Sequence, residues 1–212
     1  MTLMTQSSTI LSFDTTGSQD SIAVKVNGQI YNKLLPRGGS GLQSAILVSE
    51  LTQLLLERER TLATIDVLCV LSGPGSFTGI RLGLATAQGL KLATKCVIFA
   101  PTLLDVLLFR HKESIAVIDS KRGDYFVKID SSISIMTLQQ LQEARKHRSI
   151  ISVNPIPGVE VISPSHSIAH ELIEFYESCN HREQFMRLEP FYSRTPEFAK
   201  KTPFVFKAQE TA

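Results

Sequence analysis

Residues 73–83 read Gly-Pro-Gly-Ser-Phe-Thr-Gly-Ile-Arg-Leu-Gly. This glycine-rich stretch lies between an apolar strand pattern at residues 67–71 and a helix pattern at residues 80–94. Glycine removes the side-chain obstacle, and the first-turn amides of a helix lack intrahelical acceptors. The loop can therefore receive either an anion or a closely packed backbone, and the residues alone leave both alternatives open.

The common phosphate-binding and nucleophile loops do not match this stretch. A Walker loop ends in Gly-Lys-Ser/Thr, whereas residues 78–80 read Thr-Gly-Ile. The dinucleotide fingerprint spaces its glycines as G-x-G-x-x-G. The spacing of Gly73, Gly75 and Gly79 is one residue too long for this pattern. The serine-hydrolase elbow fails because Pro74 stands where its first glycine should be.

A strand that ends in aspartate, followed by a turn and a second strand, occurs twice along the chain. Strand patterns cover residues 10–14, 21–26 and 29–35, and the last two are joined by Asn27-Gly28, which favours a type I′ hairpin turn. Residues 115–119 and 125–129 repeat the arrangement. We infer an internal duplication, which predicts an α/β fold of the actin-like or hexokinase-like ATPase architecture with a shortened second half. The halves are assigned to residues 1–110 and 111–212.

Apolar periodicity predicts the remaining elements. A short strand is expected at residues 97–100, and helices are expected at residues 44–57, 80–94, 102–109, 138–147 and 165–179, with Thr137 as the cap of the fourth. From His181 onward the prolines predict an extended chain. Residues 190–196 are expected to be ordered, because Phe191 and Tyr192 supply apolar surface that is best buried.

Composition limits the class of protein. With 212 residues and 43% hydrophobic content, the chain can form a proper core. A net charge of +2 is far from that of a dedicated nucleic-acid binder. The cysteines are scattered, which implies neither a disulfide nor a zinc framework. The chain lacks an apolar run of about eighteen residues and its first ten residues do not resemble a signal peptide, so we expect a cytoplasmic protein without membrane association.

Asp14 and Asp119 end equivalent strands, where the ATPase architecture places ligands for magnesium and phosphate. Aspartate also caps tight turns at such positions. Neither loop has the glycine-rich D-x-G-T pattern, so we expect a degenerate nucleotide site and no bound cofactor.

His166, His170 and Glu174 fall at i, i+4 and i+8 of the last predicted helix, a spacing that could present a metal-binding face. The segment lacks the H-E-x-x-H motif, and no third ligand is evident elsewhere in the sequence. We therefore expect a solvated helix face and no metal site.

The second predicted helix carries small residues at Gly79, Gly83 and Ala87, which would let another element approach closely. That element could belong to this chain or to a partner. If Thr78 is the N-cap, Arg81 occupies the third helical position, where the helix dipole disfavours a cation. Its guanidinium could extend into water or reach a carboxylate or phosphate at the loop or on a partner.

Residues 73–81, followed by Ala-Thr-Ala-Gln-Gly-Leu at residues 85–90, closely resemble the signature of the TsaB family. These proteins are the partner subunits of the bacterial complex that makes threonylcarbamoyladenosine in tRNA. Three further stretches resemble family landmarks in family order: residues 13–16 resemble I-D-T-S/T, residues 118–124 resemble I-D-A-R-x-G-E, and residues 190–196 resemble P-x-Y-L-R-x-P. One departure is that Gln43 stands where the family's R-x-H-S-E segment has histidine.

The resemblance implies the same actin-like fold and a catalytically silent scaffold. Such a subunit activates TsaD, which transfers the carbamoyl-threonine group from threonylcarbamoyl-adenylate to adenosine 37 of tRNAs that decode ANN codons. TsaE would be an ATP-hydrolysing third partner, tRNA would bind only through the complex, and the chain alone could form a homodimer. Two alternatives stay open: a glycoprotease-like hydrolase or ATPase that acts alone, and a homodimeric module without a tRNA role.

The resemblance also implies a partner interface on the first two helices. The expected interface residues are Leu47, Leu51, Gly79, Arg81, Gly83 and Ala87, and the expected signature loop is Gly73, Pro74, Gly75, Ser76, Phe77 and Thr78.

Overall fold

A computed structural model describes residues 8–36 and 42–191, with the side chains of the first helix described from residue 46. The first half contains β1 (Ile10–Asp14), β2 (Ser21–Val26), β3 (Gln29–Leu34), α1 (Leu42–Leu56), β4 (Val67–Val70), α2 (Phe77–Thr94), β5 (Val97–Phe99) and α3 (Leu103–Leu108). The second half contains β6 (Ile115–Asp119), β7 (Tyr125–Ile129), β8 (Ser132–Met136), α4 (Leu138–Arg145), β9 (Ile150–Ile151), β10 (Val161–Ile162) and α5 (Ile168–Ser178).

The two halves share one topology, which confirms the predicted duplication. Each sheet has five strands, in the orders β3-β2-β1-β4-β5 and β8-β7-β6-β9-β10. In each half an antiparallel meander leads to parallel strands on the other side of the first strand. The second half is shorter because α2 joins β4 to β5, whereas the described chain between β9 and β10 contains no helix.

Successive side chains of each strand point to opposite faces of the sheet, so other elements pack in layers on both faces. One face of the first sheet packs against α1 and α2 through residues such as Phe13, Val70 and Leu51. Its other face meets α3, α5 and the second sheet in a core that both halves share. The outer face of the second sheet is covered by α4 through Leu141. The proposed boundary at residue 110 therefore divides the sequence, while the central core joins the two parts.

Local signals account for most element boundaries. Asn27 and Gly28 have φ angles of 51° and 83°, as a type I′ turn requires. Thr102 and Thr137 cap their helices through reciprocal capping boxes with Asp105 and Gln140. The sequence analysis missed β8, β9 and β10, because β8 is short and half-exposed and the other two have only two residues each.

The prediction of Thr78 as the N-cap of α2 is wrong. Ser76 is the N-cap, and its Oγ accepts a hydrogen bond from the amide of Gly79 at 3.3 Å. Arg81 therefore lies beyond the first turn, outside the region where the helix dipole disfavours a cation. Its guanidinium lies over the ring of Phe77, 3.9 Å from the ring centroid.

The segment after α5 differs in part from the extended chain that we expected. A 3-10 helix covers Arg182–Phe185, and its Phe185 ring packs against Phe99 of β5. Farther on, the amide of Phe191 donates to the carbonyl of Ser72 at 2.8 Å. The remainder of the predicted ordered segment, residues 192–196, lies outside the described residues.

Candidate functional site

The glycine loop lies where the carboxyl end of β1 meets the amino end of α2. The amide of Ser76 donates to the carbonyl of Thr16 at 2.8 Å. The Thr15 hydroxyl donates to the carbonyl of Gly79 at 2.7 Å. These bonds join the loop to the segment that follows β1, so part of its backbone hydrogen-bonding capacity is used within the chain.

The glycines of the loop are required by close packing. A Cβ added to Gly79 would stand 1.8 Å from the carbonyl oxygen of Thr15, and one added to Gly75 would stand 2.7 Å from that of Thr16. Neither separation is sterically possible without moving the backbone. Of the two alternatives left open by the sequence, the structure shows the closely packed backbone.

The small-residue stripe of α2 faces the interior, contrary to our expectation of a partner surface. Gly83 is buried, and an added Cβ would meet the Thr15 hydroxyl at 2.9 Å and a Val70 methyl at 3.4 Å. Ala87 is also fully buried. The stripe lets α2 approach the first sheet, so it is not available to another chain.

The same correction applies to the predicted interface residues of α1. Leu47 and Leu51 are buried in the core between α1, α2 and the first sheet. Of the six expected interface residues, only Arg81 is exposed. The side chain of Gln43 lies outside the described side chains.

Asp14 is buried at the end of β1 and accepts hydrogen bonds from the amide and the hydroxyl of Thr16, both at 2.7 Å. Burial raises the pKa of Asp14 from 3.8 to about 6, although the Thr16 hydrogen bonds oppose the rise. The two hydrogen bonds from Thr16 commit the Asp14 carboxyl group to a turn within its own loop.

Asp119 occupies the equivalent position at the end of β6. It accepts a hydrogen bond from the amide of Lys121 at 2.7 Å and pairs with the Lys121 ammonium at 3.0 Å. The carboxylate of Asp119 is thus paired with a lysine of its own turn. Both aspartates cap turns, as the structural alternative in the sequence analysis predicted.

A cavity of about 230 Å³ opens at the strand ends, between Asp14 and loops of the second half. Its polar lining includes Ser18 and Gln19 from the first half and Asn154, Ser163, His166 and Ser167 from the second. Asp14 and His166 were predicted from the sequence, but the other five were not. They come from separate loops that only the tertiary fold brings together, and no local pattern marks them.

Four large apolar side chains of α1 and α2 are exposed, and three of them were not predicted from the sequence. Val48 and Leu56 of α1 are 41% and 59% exposed, and Phe77 and Leu92 of α2 are 53% and 74% exposed. We call these four residues the outer helix surface. Exposed apolar side chains that lie together on a surface are typical of a protein interaction site.

None of the described helices is long and apolar enough to cross a membrane.

The repeated sheet order, with an aspartate at the end of each first strand, defines an α/β chain of the actin-like ATPase architecture. Two solved structures show the same fold. YeaZ from Pseudomonas aeruginosa has a TM-score of 0.66 at 18% identity, over 88% of this chain and all of that one. A protein described as similar to peptidase YeaZ from Pseudomonas aeruginosa has a TM-score of 0.68 at 20% identity, over 89% of this chain and all of that one.

Two curated proteins are similar to part of this chain. A tRNA threonylcarbamoyladenosine biosynthesis protein TsaB from Buchnera aphidicola subsp. Schizaphis graminum is 27% identical over 123 residues, which are 55% of this chain and 58% of the relative. TsaB from Buchnera aphidicola subsp. Baizongia pistaciae is 33% identical over 84 residues, which are 40% of this chain and 37% of the relative. The matches thus span less than two thirds of either relative.

The family model for TsaD, tRNA N6-adenosine threonylcarbamoyltransferase, matches residues 29–128. The chain is therefore similar to TsaB proteins and, over residues 29–128, to the TsaD family model, which confirms the resemblance in the sequence.

Proposed function

We propose that this chain is a catalytically silent subunit that binds and activates a TsaD-type transferase, which threonylcarbamoylates adenosine in tRNA. The relation to proteins named for threonylcarbamoyladenosine biosynthesis carries this proposal. On this proposal the chain works in the cytoplasm, meets tRNA only within the complex, and has a TsaE-type ATPase as a further partner. The chain alone would form a homodimer.

The geometry of the strand ends supports a silent subunit. In an active ATPase of this architecture the strand-end carboxylates would be free to hold a metal ion. Here Asp14 is committed to Thr16, and Asp119 is paired with Lys121. The glycine loop, which could have held phosphate, is packed against Thr15 and Thr16 instead.

The outer helix surface is the proposed contact with the transferase. It replaces the stripe of Gly79, Gly83 and Ala87, because those residues are needed inside the chain. Phe77 belongs both to the signature loop and to this surface, and the Arg81 guanidinium lies over its ring. An aromatic ring with a stacked guanidinium is a common anchor in protein interfaces.

The test uses Phe77→Glu with Leu92→Glu in one chain, and measures affinity for a purified TsaD-type protein by calorimetry. We expect affinity to fall by more than about a hundredfold, since two apolar anchors that binding would bury become charged. The melting temperature should hold, because both side chains are exposed before binding. The matched control is Ile162→Glu on β10, where an apolar side chain of the second half is 37% exposed. Unchanged affinity of the double variant would contradict the proposed surface.

A second candidate is an enzyme that acts alone, which the match to the transferase family model favours. The discriminating measurement is tRNA threonylcarbamoylation and ATP hydrolysis by the purified chain, with and without a TsaD-type protein. The scaffold proposal expects turnover only in the mixture. Turnover by the chain alone that is lost in Asp14→Asn would instead support the enzyme.

A further inference from the structure

A cluster of possible metal ligands stands at the amino end of α5. His166, His170 and Glu174 each offer a ligand atom, and these atoms lie within 4.8 Å of one another. The arrangement differs from the single helix face that the sequence predicted, because α5 begins at Ile168 and His166 precedes it. The imidazole rings of His166 and His170 stack with centroids 4.2 Å apart.

We propose that His166, His170 and Glu174 bind one Zn²⁺ or a similar divalent transition-metal ion, with a fourth coordination position open to water. Two imidazoles and one carboxylate suit zinc, and three protein ligands with an open position are typical of its reactive sites. His166 also lines the cavity at the strand ends, so water in that cavity can occupy the open position.

The ligand spacing is close to what zinc requires. Zinc holds nitrogen and oxygen ligands at about 2.0–2.2 Å, which places two ligands of a tetrahedron about 3.4 Å apart. His170 Nε2 and Glu174 Oε2 are already 3.6 Å apart. The side chain of His166 is 44% exposed, so the solvent side leaves room for its ring to adjust toward the other two ligands.

The groups around the cluster prepare the histidines as ligands. His166 Nδ1 lies 3.4 Å from Oε1 of the buried Glu171, and the His166 amide donates to the same oxygen at 3.2 Å. A carboxylate on one ring nitrogen orients the ring and leaves the other nitrogen for the metal.

The balance of charge around the cluster favours a cation. Two carboxylates, Glu171 and Glu174, share one guanidinium, that of Arg110. Arg110 pairs with Oε2 of Glu174, the oxygen that also lies near His170 Nε2, so an ion would take this oxygen in place of the guanidinium. When an ion takes Glu174, Arg110 can keep its pairing with Glu171, whose Oε2 is 4.0 Å from the guanidinium Nε.

The test measures Zn²⁺ binding to the purified full chain by calorimetry and Co²⁺ binding by visible ligand-field absorption. We expect one ion per chain. His166→Asn, His170→Asn and Glu174→Gln should each weaken binding by more than about tenfold, because loss of even an orienting neighbour costs that much. Added Zn²⁺ should raise the melting temperature of the parent chain and leave that of the variants unchanged.

Two controls separate this site from other donors. His181→Asn removes a histidine that also lies near a carboxylate, Glu183 at 3.5 Å, but on an exposed surface without a third ligand. Cys179→Ser removes the one cysteine that is not fully buried. Both should bind zinc like the parent chain. His166→Asn and Glu174→Gln change partly exposed positions, so they report on the site even if His170→Asn fails to fold. Absence of binding, or binding that these variants leave unchanged, would overturn the proposal.

Discussion

At the scale of single residues, Asp14 shows how the fold has turned a potential ligand into a structural group. Its carboxyl is buried, and desolvation raises its pKa even though Thr16 donates two hydrogen bonds to it. A raised pKa means that the folded chain holds the proton more tightly than the unfolded chain does. The charged form of Asp14 therefore destabilises the folded chain at neutral pH.

Asp14 therefore predicts a dependence of stability on pH. Its contribution is fully present below pH 3.8 and is lost as pH rises through about 6. The loss amounts to roughly 3 kcal/mol at neutral pH, at 1.36 kcal/mol for each pKa unit. Asp14→Asn should remove this part of the dependence and unfold at higher denaturant concentration than the parent at pH 7.5. The measurement is urea unfolding of both proteins from pH 4 to 8, and parallel curves would contradict the assignment.

At the scale of elements, α2 contains glycines with opposite consequences. A Cβ at Gly79 would collide with the Thr15 backbone, whereas one at Gly89 would meet no atom within 4 Å. Gly79→Ala should thus destabilise the chain by at least about 2 kcal/mol, as overpacking does. Gly89→Ala should stabilise it by about 1 kcal/mol through helix propensity. Thermal unfolding of this matched pair tests the packing, and equal shifts in one direction would count against it.

Gly83→Leu separates the internal stripe from a partner surface. Because Gly83 contacts Thr15 and Val70, leucine should lower the melting temperature, at a cost of roughly 1–3 kcal/mol or more. This outcome reverses the expectation from the family resemblance, in which the stripe meets a partner. A variant that melts like the parent but no longer binds a TsaD-type protein would restore the earlier interpretation.

At the scale of the whole molecule, the two halves depend on a shared core. Phe99 of β5 contacts the rings of Phe175, Tyr176 and Phe185, all from the second half of the sequence. Ala169, Leu172 and Ile173 of α5 belong to the same core and cover the first sheet. The inner face of the first sheet is therefore covered in part by residues of the second half.

The shared core predicts a single cooperative unfolding transition for the full chain. A fragment of residues 1–110 should not fold alone, because removal of α5 and Phe185 leaves the inner face of the first sheet exposed. Phe99→Ala in the full chain should cost about 3–5 kcal/mol and lower that one transition without splitting it. Calorimetry on the full chain, the variant and the fragment provides the test. A cooperative transition in the fragment would show that the halves are independent.

Features that depend on neighbouring residues could be predicted from the amino-acid sequence alone. The hairpin at Asn27-Gly28, the caps at Thr102 and Thr137, and the strands that end at Asp14 and Asp119 all follow from local backbone preference and apolar alternation. The duplication follows from the order of those elements. The relation to TsaB follows from contiguous residues around the glycine loop.

Which faces of these elements are buried depends on the tertiary fold. A stripe of small residues at helical spacing has the same pattern whether it meets a sheet of its own chain or a helix of another. The inward orientation of the stripe depends on contacts between Gly79 and Thr15, two residues that are distant in sequence. Likewise, α5 covers the first sheet, and the cavity and the His166 cluster combine separate segments. Long-range packing carries no local signature, since hydrophobic burial depends on area rather than on sequence order.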